Sequence, residues 1–413
     1  MRNVAEQPQP AVEAFDEKQF YLDEFRGRTL LFSIPVSELA QDADFECLAA
    51  MGRELLVNDT RVIMLIGAPD DVPGKEILRR LQHRLGPLLL RDEIISLFPQ
   101  RQARTAAFSE VPADAFATPA SASTLLSSVW TTLRRGPLFV GVVASADADA
   151  TKAIAQQMAT RLRVHKLILI HPAGGISGSD GKQISFMDET MLTALLAAGQ
   201  AEWAGLAERR PGLEAARAAL LGGVTSVNLC TLDGAPRELF TYTGSGTLCT
   251  HQDYCKIQRL GIDDFEEVER LIERGQREGL LKLRTPDEIA LMLINGYGAT
   301  IGAHHLAGIC ALVTEPYVAA HAGEVVGLYT ITRFKGEGVG GRLVAQLLDD
   351  ARNARLAYVF ACTTEERALT FFERQGFRRV GTADVPAAKW ESYDPQRKAQ
   401  VAVFRFDLDA AAR

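Results

Sequence analysis

Apolar positions in the first half of the chain alternate between short continuous runs and longer stretches with helical spacing. Thr29 to Ile34 and Val62 to Gly67 are runs of strand length, and Phe45 to Leu56 repeats apolar residues at helical intervals. This succession predicts a β-α-β opening. It recurs in a strand at Leu138 to Ser145, a helix at Asp149 to Arg163, and strands at Lys166 to Ile170 and Gly222 to Leu232. The pattern indicates a parallel sheet covered by helices.

One stretch of the first half follows neither period. Arg101 to Ser128 is rich in Ala, Ser, Pro and Thr, and we expect a loop or an eroded insertion there. A Gly- and Thr-rich stretch, Thr241 to Thr250, then indicates the passage to a second unit, with a boundary near Cys249. The predicted organisation is a disordered tail over residues 1–17, one domain over 18–248 and another over 249–413.

The second unit carries its own succession of elements. A capping-box start at Thr285, with Pro286 in the first turn and Glu288 three residues on, predicts a helix. The other expected elements are a strand at Lys256 to Leu260, a helix at Asp263 to Arg274, and strands at Ala299 to His305 and Gly308 to Val313.

Composition narrows the classes of function. The 413 residues are 47% hydrophobic and 23% charged, which is typical of a globular protein, and the formal net charge is −7. Because Lys and Arg are scattered, no nucleic-acid partner is expected. The longest apolar runs are of strand length, so no membrane span is expected either. Six cysteines without a C-x-x-C pair predict reduced thiols in a cytoplasmic protein.

The segment from Gly323 to Ala351 combines a strand, a glycine-rich loop and a helix. Loop amides without side-chain bulk can turn toward an anion, and the helix dipole adds positive potential at the same point. A pyrophosphate fits such a loop. Dinucleotide-binding folds also have glycine-rich turns, but here no acidic residue ends a following strand, and Phe371 to Phe377 follows downstream.

With these features the segment resembles the GNAT acetyltransferase family, whose acetyl-CoA loop has the form Gln/Arg-x-x-Gly-x-Gly/Ala. One register is Lys335-x-x-Gly338-x-Gly340, with Lys in place of the usual Gln or Arg; the other begins at Arg333. The first register lets the apolar stripe of the helix begin directly behind the loop. The resemblance implies acetyl-CoA as cosubstrate, held by Leu328, Thr330, Lys335, Gly336, Gly338, Val339, Gly340 and Gly341. The resemblance also implies that the strand before the loop splays from its neighbour, and that Leu328 and Thr330 supply the free backbone groups that pair with pantetheine.

Over nearly its whole length the chain resembles the bacterial N-acetylglutamate synthases, which join an amino-acid-kinase-like domain to a GNAT domain. The resemblance depends on Phe25 to Thr29, Arg237 to Phe240, Gly244 to Thr247 and Tyr393 to Lys398. It implies an α/β chain with an N-terminal amino-acid-kinase-like parallel-sheet sandwich and a C-terminal α+β GNAT acyltransferase fold. It also implies transfer of acetyl to the α-amine of L-glutamate, the first step of arginine biosynthesis, by a homo-oligomer assembled through the kinase-like domain.

Position by position, the resemblance implies that Glu324 is the general base and that Thr363 reprotonates the leaving thiolate. Arg284 and Arg397 match positions that hold glutamate carboxylates, and guanidinium groups suit a dicarboxylate. Each residue also has an ordinary alternative: a surface carboxylate for Glu324, a strand-end contact with backbone for Thr363, and solvated side chains for the arginines. Phe372 stands where many GNAT enzymes have a tyrosine acid, which excludes that route.

The chain also departs from the family. Leu31 to Val36 lacks the Lys and glycines that cradle ATP phosphates in amino-acid kinases, so no kinase activity is expected. Glu208 to Gly223 lacks a match to the arginine-effector loop, which leaves that regulation open. Tyr329 is bulky where the family strand carries a small residue, so a different amino-acid or amine acceptor stays an alternative. A non-catalytic, CoA-binding regulatory subunit is another.

Other polar groups have structural explanations. Asp147, Asp149 and Lys152 lie at a predicted helix start, where carboxylates cap free amides. Gly174 to Gly181 is better explained as a hairpin turn than as a phosphate site. His304 and His305 are adjacent on a predicted strand and face opposite ways. We therefore predict no metal site.

Overall fold

The structure is a computed structural model, and it describes residues 17–85, 107–147, 149–178, 183–197, 206–241, 244–251, 255–301, 305–331, 339–391 and 393–408. Its strands are β1 (Thr29–Pro35), β2 (Arg61–Ala68), β3 (Ala107–Glu110), β4 (Leu138–Ala144), β5 (Lys166–Ile170), β6 (Ile176–Ser177), β7 (Gln183–Ile184), β8 (Phe186–Asp188), β9 (Ser226–Cys230), β10 (Thr247–Thr250), β11 (Cys255–Arg259), β12 (Gly296–Ile301), β13 (His305–Val313), β14 (Ala322–Thr330), β15 (Tyr358–Thr363), β16 (Arg378–Val380) and β17 (Ala402–Asp407).

The α-helices are α1 (Glu17–Phe25), α2 (Asp42–Val57), α3 (Gly74–Leu85), α4 (Pro119–Arg135), α5 (Ala150–Leu162), α6 (Glu189–Ala197), α7 (Leu206–Leu221), α8 (Ala235–Phe240), α9 (Phe265–Arg277), α10 (Pro286–Ile294), α11 (Val339–Asn353), α12 (Glu366–Arg374) and α13 (Pro395–Gln400). The chain divides into two compact units: Met1–Gly174, Leu221–Val224 and Asn228–Gly246 form the first, and Gly175–Leu220, Thr225–Val227 and Thr247–Arg413 form the second. The domain limits 18–248 and 249–413 stay a prediction.

The first unit is built on parallel strands. β1 pairs in parallel with β2 and β5, and β4 pairs in parallel with β2 and β3. The central strands are buried almost throughout, and α2 covers them with the apolar stripe read from Phe45 to Leu56. The predicted β-α-β opening and parallel sheet are confirmed.

The stretch expected to be a loop contains β3 and most of helix α4. Thr118 and Ser121 form a capping box at the start of α4, Pro119 occupies its first turn, and Val129 and Leu133 belong to its buried face. The apolar stripe is made of few and small residues, so its 3.6-residue period is hidden by Ala, Ser and Thr. The expectation of an irregular segment was wrong for α4.

The residues around α8 that carry the family resemblance form a network of buried hydrogen bonds. Glu238 is 1% exposed, and its carboxylate accepts hydrogen bonds from the amides of Ser245 and Gly246, both at 2.8 Å, and from the amide of Asn228. Lys166 donates to Asn228 at 3.1 Å. A Cβ at Gly246 would lie 2.1 Å from the carbonyl oxygen of Leu229, so no larger residue fits there. Loss of any one partner would leave a buried polar group without a hydrogen bond, which costs free energy of folding.

Two small polar clusters have local structural roles. At the start of α5, Asp147 accepts a hydrogen bond from the backbone amide of Asp149 at 2.9 Å, whereas Asp149, at the N-cap, makes no side-chain cap hydrogen bond and pairs with Lys152 at 2.5 Å. The capping expected of Asp149 is therefore wrong. β6 and β7 form an antiparallel hairpin, which supports the turn interpretation of Gly174 to Gly181, although residues 179–182 lie outside the described residues. His304 also lies outside them.

The second unit contains a seven-stranded sheet in the order β11-β12-β13-β14-β15-β17-β16. Its recorded pairings are antiparallel except for β14 with β15, which run parallel. Helices α9, α10 and α11 pack on β13, and α9 and α11 also contact β14. β8 and β10 pair in parallel in the same unit. Within the described ranges, no helix has the length and apolarity required to cross a bilayer.

Candidate functional site

The two parallel strands of the second sheet separate partway along their length. β14 pairs with β15 only from Ala322 opposite Tyr358 to Val325 opposite Ala361. Beyond Val325, β14 continues to Thr330 along β13 while β15 diverges. The backbone groups of residues 326–330 that face away from β13 therefore have no strand partner in β15. The splay expected before the glycine-rich loop is present, and it includes Leu328 and Thr330.

A bulge in β14 turns its backbone at the point of separation. Ala311 is opposite Val326 and Ile309 is opposite Tyr329, so two residues of β14 stand against one of β13. One of the two is Gly327, with φ +63°, a value that favours glycine. A Cβ at Gly327 would lie 2.1 Å from Cε of Met292. Glycine is therefore required by conformation and by space.

The splayed strands enclose a cavity of about 840 Å³. Most sequence-predicted site residues line it: Arg284, Glu324, Leu328, Thr330, Gly340, Gly341 and Thr363. Residues separated by up to 79 positions, from Arg284 to Thr363, thus meet around one space. The walls also include apolar groups such as Met292, Leu291 and Phe371, as expected for a ligand site with few oriented polar groups.

Glu324 lies where β14 and β15 part, and its carboxylate is buried, 6% exposed. The hydroxyl of Tyr317 donates to Oε2 at 2.6 Å, and the ammonium of Lys389 donates to Oε1. The surface-carboxylate alternative is therefore excluded, because Glu324 is buried and held by two partners. Tyr317 remains a donor, since burial and the neighbouring Glu324 raise the pKa of its phenol.

Lys389 is a site residue that the sequence interpretation missed. It lies in a 3-10 helix, Ala387–Trp390, lines the cavity, and its side chain is only 16% exposed. It is 65 positions from Glu324 in the chain, and no spacing rule connects them. The only available signal was its closeness to the Tyr393 to Lys398 tail that resembles the family.

The Tyr317 hydroxyl can be tested by Tyr317→Phe. We expect the free energy of unfolding to fall by about 1 to 3 kcal/mol, because a buried carboxylate oxygen loses its donor. Tyr358→Phe is the matched control: Tyr358 packs on the same Phe360 ring, and no described residue accepts from or donates to its hydroxyl. Chemical denaturation that gave equal losses for both variants would contradict a structural role for the hydrogen bond.

Arg284 directly precedes the capping box of α10, formed by Thr285 and Glu288. Burial lowers the pKa of its guanidinium, while Glu288 and Glu324 act in the opposite direction. Its Nε is buried and has no hydrogen-bond partner among the described residues. A buried guanidinium nitrogen without a partner, in a cavity wall, fits a group that binds an anionic ligand.

Thr363 and Cys362 end β15 on the cavity wall. The Oγ1 of Thr363 accepts from the amide of Glu365 at 3.0 Å, so the expected backbone contact exists, but its O–H is still available as a donor. Burial, and then the charge of Glu324, raise the pKa of Cys362 to about 12. Burial thus favours the protonated thiol, which is a poorer nucleophile than the thiolate.

The anion-binding end of the cavity is described only in part. Helix α11 begins at Val339, and Gly340 and Gly341 in its first turn line the cavity against α12. Cβ atoms there would lie 3.3 Å from Phe371 and 3.0 Å from Gln375. Val339 is 1% exposed and does not line the cavity. Arg333, Lys335, Gly336 and Gly338 lie outside the described residues.

The bulky Tyr329 does not close the cavity. Its ring packs beside Gly275 of α9, and its pKa is raised by burial and by Glu278, the residue that caps the end of α9. It lines the wall with 3% exposure. Phe372 likewise lines the wall and stacks on Phe404, 5.6 Å between ring centroids, which agrees with the absence of a tyrosine acid there.

The tail that resembles the family folds beside Lys389. Tyr393 lies under the Lys389 ammonium, 5.2 Å from ring centroid to Nζ, and Lys398 lies over Trp390 at 4.8 Å. Tyr393 and Asp394 line the cavity. The side chain of Arg397, on α13, is not among those described. No group of three or more His, Cys, Asp or Glu side chains in the described part of the chain is arranged to hold a metal ion.

Comparisons with known proteins agree with this geometry. Residues 264–377 match the acetyltransferase (GNAT) family. The amino-acid acetyltransferase of Pseudomonas paraeruginosa strain PA7 is 29% identical over 255 residues, 61% of this chain and 57% of that protein. The amino-acid acetyltransferase of Neisseria meningitidis serogroup B is 30% identical over 244 residues, 58% and 53% respectively. The matched region thus spans just over half the length of these relatives.

A solved structure covers almost the whole chain. The N-acetylglutamate synthase of Neisseria gonorrhoeae, crystallised with coenzyme A and L-arginine, aligns with 95% of this chain and 98% of its own, with a TM-score of 0.56 and 19% identity. At this identity the likeness establishes the fold. The predicted α/β fold class, with a parallel-sheet unit and a GNAT acyltransferase fold, and the resemblance to amino-acid acetyltransferases are confirmed.

Proposed function

We propose that this chain transfers the acetyl group of acetyl-CoA to the α-amine of L-glutamate. One observation carries the proposal: the buried carboxylate of Glu324 and the guanidinium of the partly buried Arg284, whose Nε is buried, line the same cavity between the splayed strands β14 and β15. The carboxylate suits proton removal from an amine, and the guanidinium suits an acidic acceptor.

The described residues fit acetyl-CoA. The free backbone edge of β14, including Leu328 and Thr330, offers amide and carbonyl groups to an extended amide chain such as pantetheine. Gly340 and Gly341 place the first turn of α11 at the cavity, where helix amides and the helix dipole favour a diphosphate. Lys335, Gly336 and Gly338 would complete that loop. When bound, acetyl-CoA supplies the acyl group as a thioester.

The side chains account for the proton transfers. Glu324 takes one proton from the acceptor's ammonium, and the freed amine attacks the carbonyl carbon. A C–N bond forms as the C–S bond breaks, and the hydroxyl of Thr363 donates its proton to the leaving thiolate. The second proton lost by the nitrogen then restores the Thr363 hydroxyl. We propose direct transfer to the acceptor, without an acetylated cysteine.

The acceptor is proposed from charge. Arg284 offers a guanidinium inside the cavity, and Arg397 lies on α13, next to the cavity-lining Asp394 and Tyr393. Together they would hold the carboxylates of L-glutamate. The curated relatives are amino-acid acetyltransferases, and the gonococcal structure is an N-acetylglutamate synthase, which agrees with this assignment.

We expect L-glutamate to give the highest kcat/KM in a screen of the twenty amino acids and of simple amines. Thiol release from acetyl-CoA is the readout, and N-acetyl-L-glutamate, which has no free amine, is the matched control. An enzyme with equal activity toward neutral amino acids would require a different acceptor. Calorimetric CoA binding without thiol release for any acceptor would favour the non-catalytic alternative.

We also propose a role for each of the two domains. Residues 18–248 form the kinase-like domain and residues 249–413 the acetyltransferase domain. The kinase-like domain has no kinase activity, because the turn after β1 is Pro35 and a 3-10 helix, Val36–Leu39, without the lysine or glycines that cradle phosphates. It serves assembly of a cytoplasmic homo-oligomer.

A further inference from the structure

Glu324 and Lys389 form a pair of opposite charges in the cavity wall. Their side chains are 7% and 16% exposed, and the ammonium donates to Oε1 of the carboxylate. Both residues line the same cavity. Removing two charges from water costs free energy. A buried ion pair is therefore stable only where its geometry and additional hydrogen bonds compensate for that cost. Because both residues line the cavity, the pair lies beside the space that a ligand can occupy.

The pair is held in place by groups on separate elements. Tyr317, from the 3-10 helix Glu315–Ala320, donates to the other carboxylate oxygen at 2.6 Å. The ring of Tyr393 lies under the ammonium. The remaining titratable or charged neighbours recorded for Glu324 are Cys362 on β15 and Arg284 before α10. Both charges are thus fixed before a ligand arrives.

An α-amino acid carries the complementary pair, an ammonium and a carboxylate on one carbon. We propose that Glu324 and Lys389 together form the receptor for this head group, with Glu324 facing the α-ammonium and Lys389 binding the α-carboxylate. The inference rests on the proposed function and deepens it by assigning the acceptor class, free α-amino acids, to two named charges. Lys389 is a specificity-determining residue in this scheme.

The assignment leaves Arg284 for the other end of the acceptor. If the α-carboxylate belongs to Lys389, the guanidinium of Arg284 is available to the side-chain carboxylate. Lys389 then recognises the α-carboxylate of L-glutamate, and Arg284, with Arg397 as proposed above, recognises the side-chain carboxylate. The two ends can be separated by acceptors that lack one carboxylate each.

The test uses the full chain with Lys389→Met and Arg284→Met and three acceptors. L-Glutamate has both carboxylates, L-isoglutamine has the α-carboxylate replaced by an amide, and L-glutamine has the side-chain carboxylate replaced. We expect Lys389→Met to lower kcat/KM on the order of 10- to 100-fold more with glutamate and glutamine than with isoglutamine, the size of one charged hydrogen bond. The loss with isoglutamine reflects only the missing ammonium beside the Glu324 carboxylate. Arg284→Met should show the opposite pattern, with little effect for glutamine.

Lys389→Arg is the conservative variant, and it should recover much of the activity with glutamate and glutamine because it keeps the positive charge. Coenzyme A binding to each variant, measured by calorimetry, shows that the fold is intact. A Lys389→Met loss that is the same for all three acceptors, or no loss, would overturn the inference. If the wild-type chain releases no thiol with any acceptor, the proposed function itself fails, which is a different outcome.

Discussion

Glu324→Gln should lower turnover on the order of 10²- to 10⁴-fold, the range that a positioned general base contributes. Glutamine has the size of glutamate and can still accept the hydrogen bond from Tyr317, but it cannot take a proton from the acceptor's ammonium. Because the CoA groups lie farther along β14 and in α11, coenzyme A binding should be retained. Steady-state thiol release and calorimetry measure the two quantities separately.

Glu315→Gln is the matched control. Glu315 begins the same 3-10 helix that carries Tyr317, and its side chain is exposed. The chemical change is identical, but the carboxylate is on the surface, so turnover should match that of the wild-type chain. If Glu324→Gln kept full turnover, Glu324 would not be the base. A loss of coenzyme A binding together with turnover would instead indicate a damaged fold.

Gly327→Ala should destabilise the second unit and weaken its use of acetyl-CoA. At φ +63° an alanine is strained by about 1 to 2 kcal/mol, and displacing the buried Met292 adds about 1 to 3 kcal/mol, so the total is about 2 to 5 kcal/mol. The bulge at Gly327 also directs the free edge of β14 into the cavity. We therefore expect a higher KM for acetyl-CoA along with a lower urea midpoint.

Gly279→Ala separates the two causes of this loss. Gly279 has φ +73°, but a Cβ there would meet nothing within 4 Å, so the substitution causes only backbone strain. Its urea midpoint should fall less than that of Gly327→Ala. Equal midpoints for the two variants would show that Met292 moves aside at no cost, and the steric requirement for glycine at position 327 would be wrong.

Much of the fold followed from local patterns. The continuous apolar runs of β1, β2 and β4 are buried as parallel central strands, because such strands are covered on both faces. The capping box at Thr285 starts α10 as expected. α4 was missed because its buried face depends on Ala122, Val129 and Leu133 within a run of Ser and Thr, which gives a weak hydrophobic period.

The candidate site was predicted unevenly. Arg284, Glu324, Leu328, Thr330, Gly340, Gly341 and Thr363 were named from motifs and resemblance, and the cavity brings them together. Lys389 and Tyr317 were not named, because a lone lysine and a lone tyrosine have no sequence signature. Their relation to Glu324 exists only through the folding of two 3-10 helices beside β14.

The sequence alone determined the central strands of the first sheet, the capped start of α10, and where a glycine-rich turn precedes a helix, but not β3 or α4. These features depend on local periodicity, capping and conformational freedom, all of which act over a few residues. Only the tertiary structure decided where β14 leaves β15, that a bulge turns Gly327 toward Met292, and that Lys389 faces Glu324. Such contacts join residues far apart in the chain, and their energy depends on burial and distance, which a linear sequence does not contain.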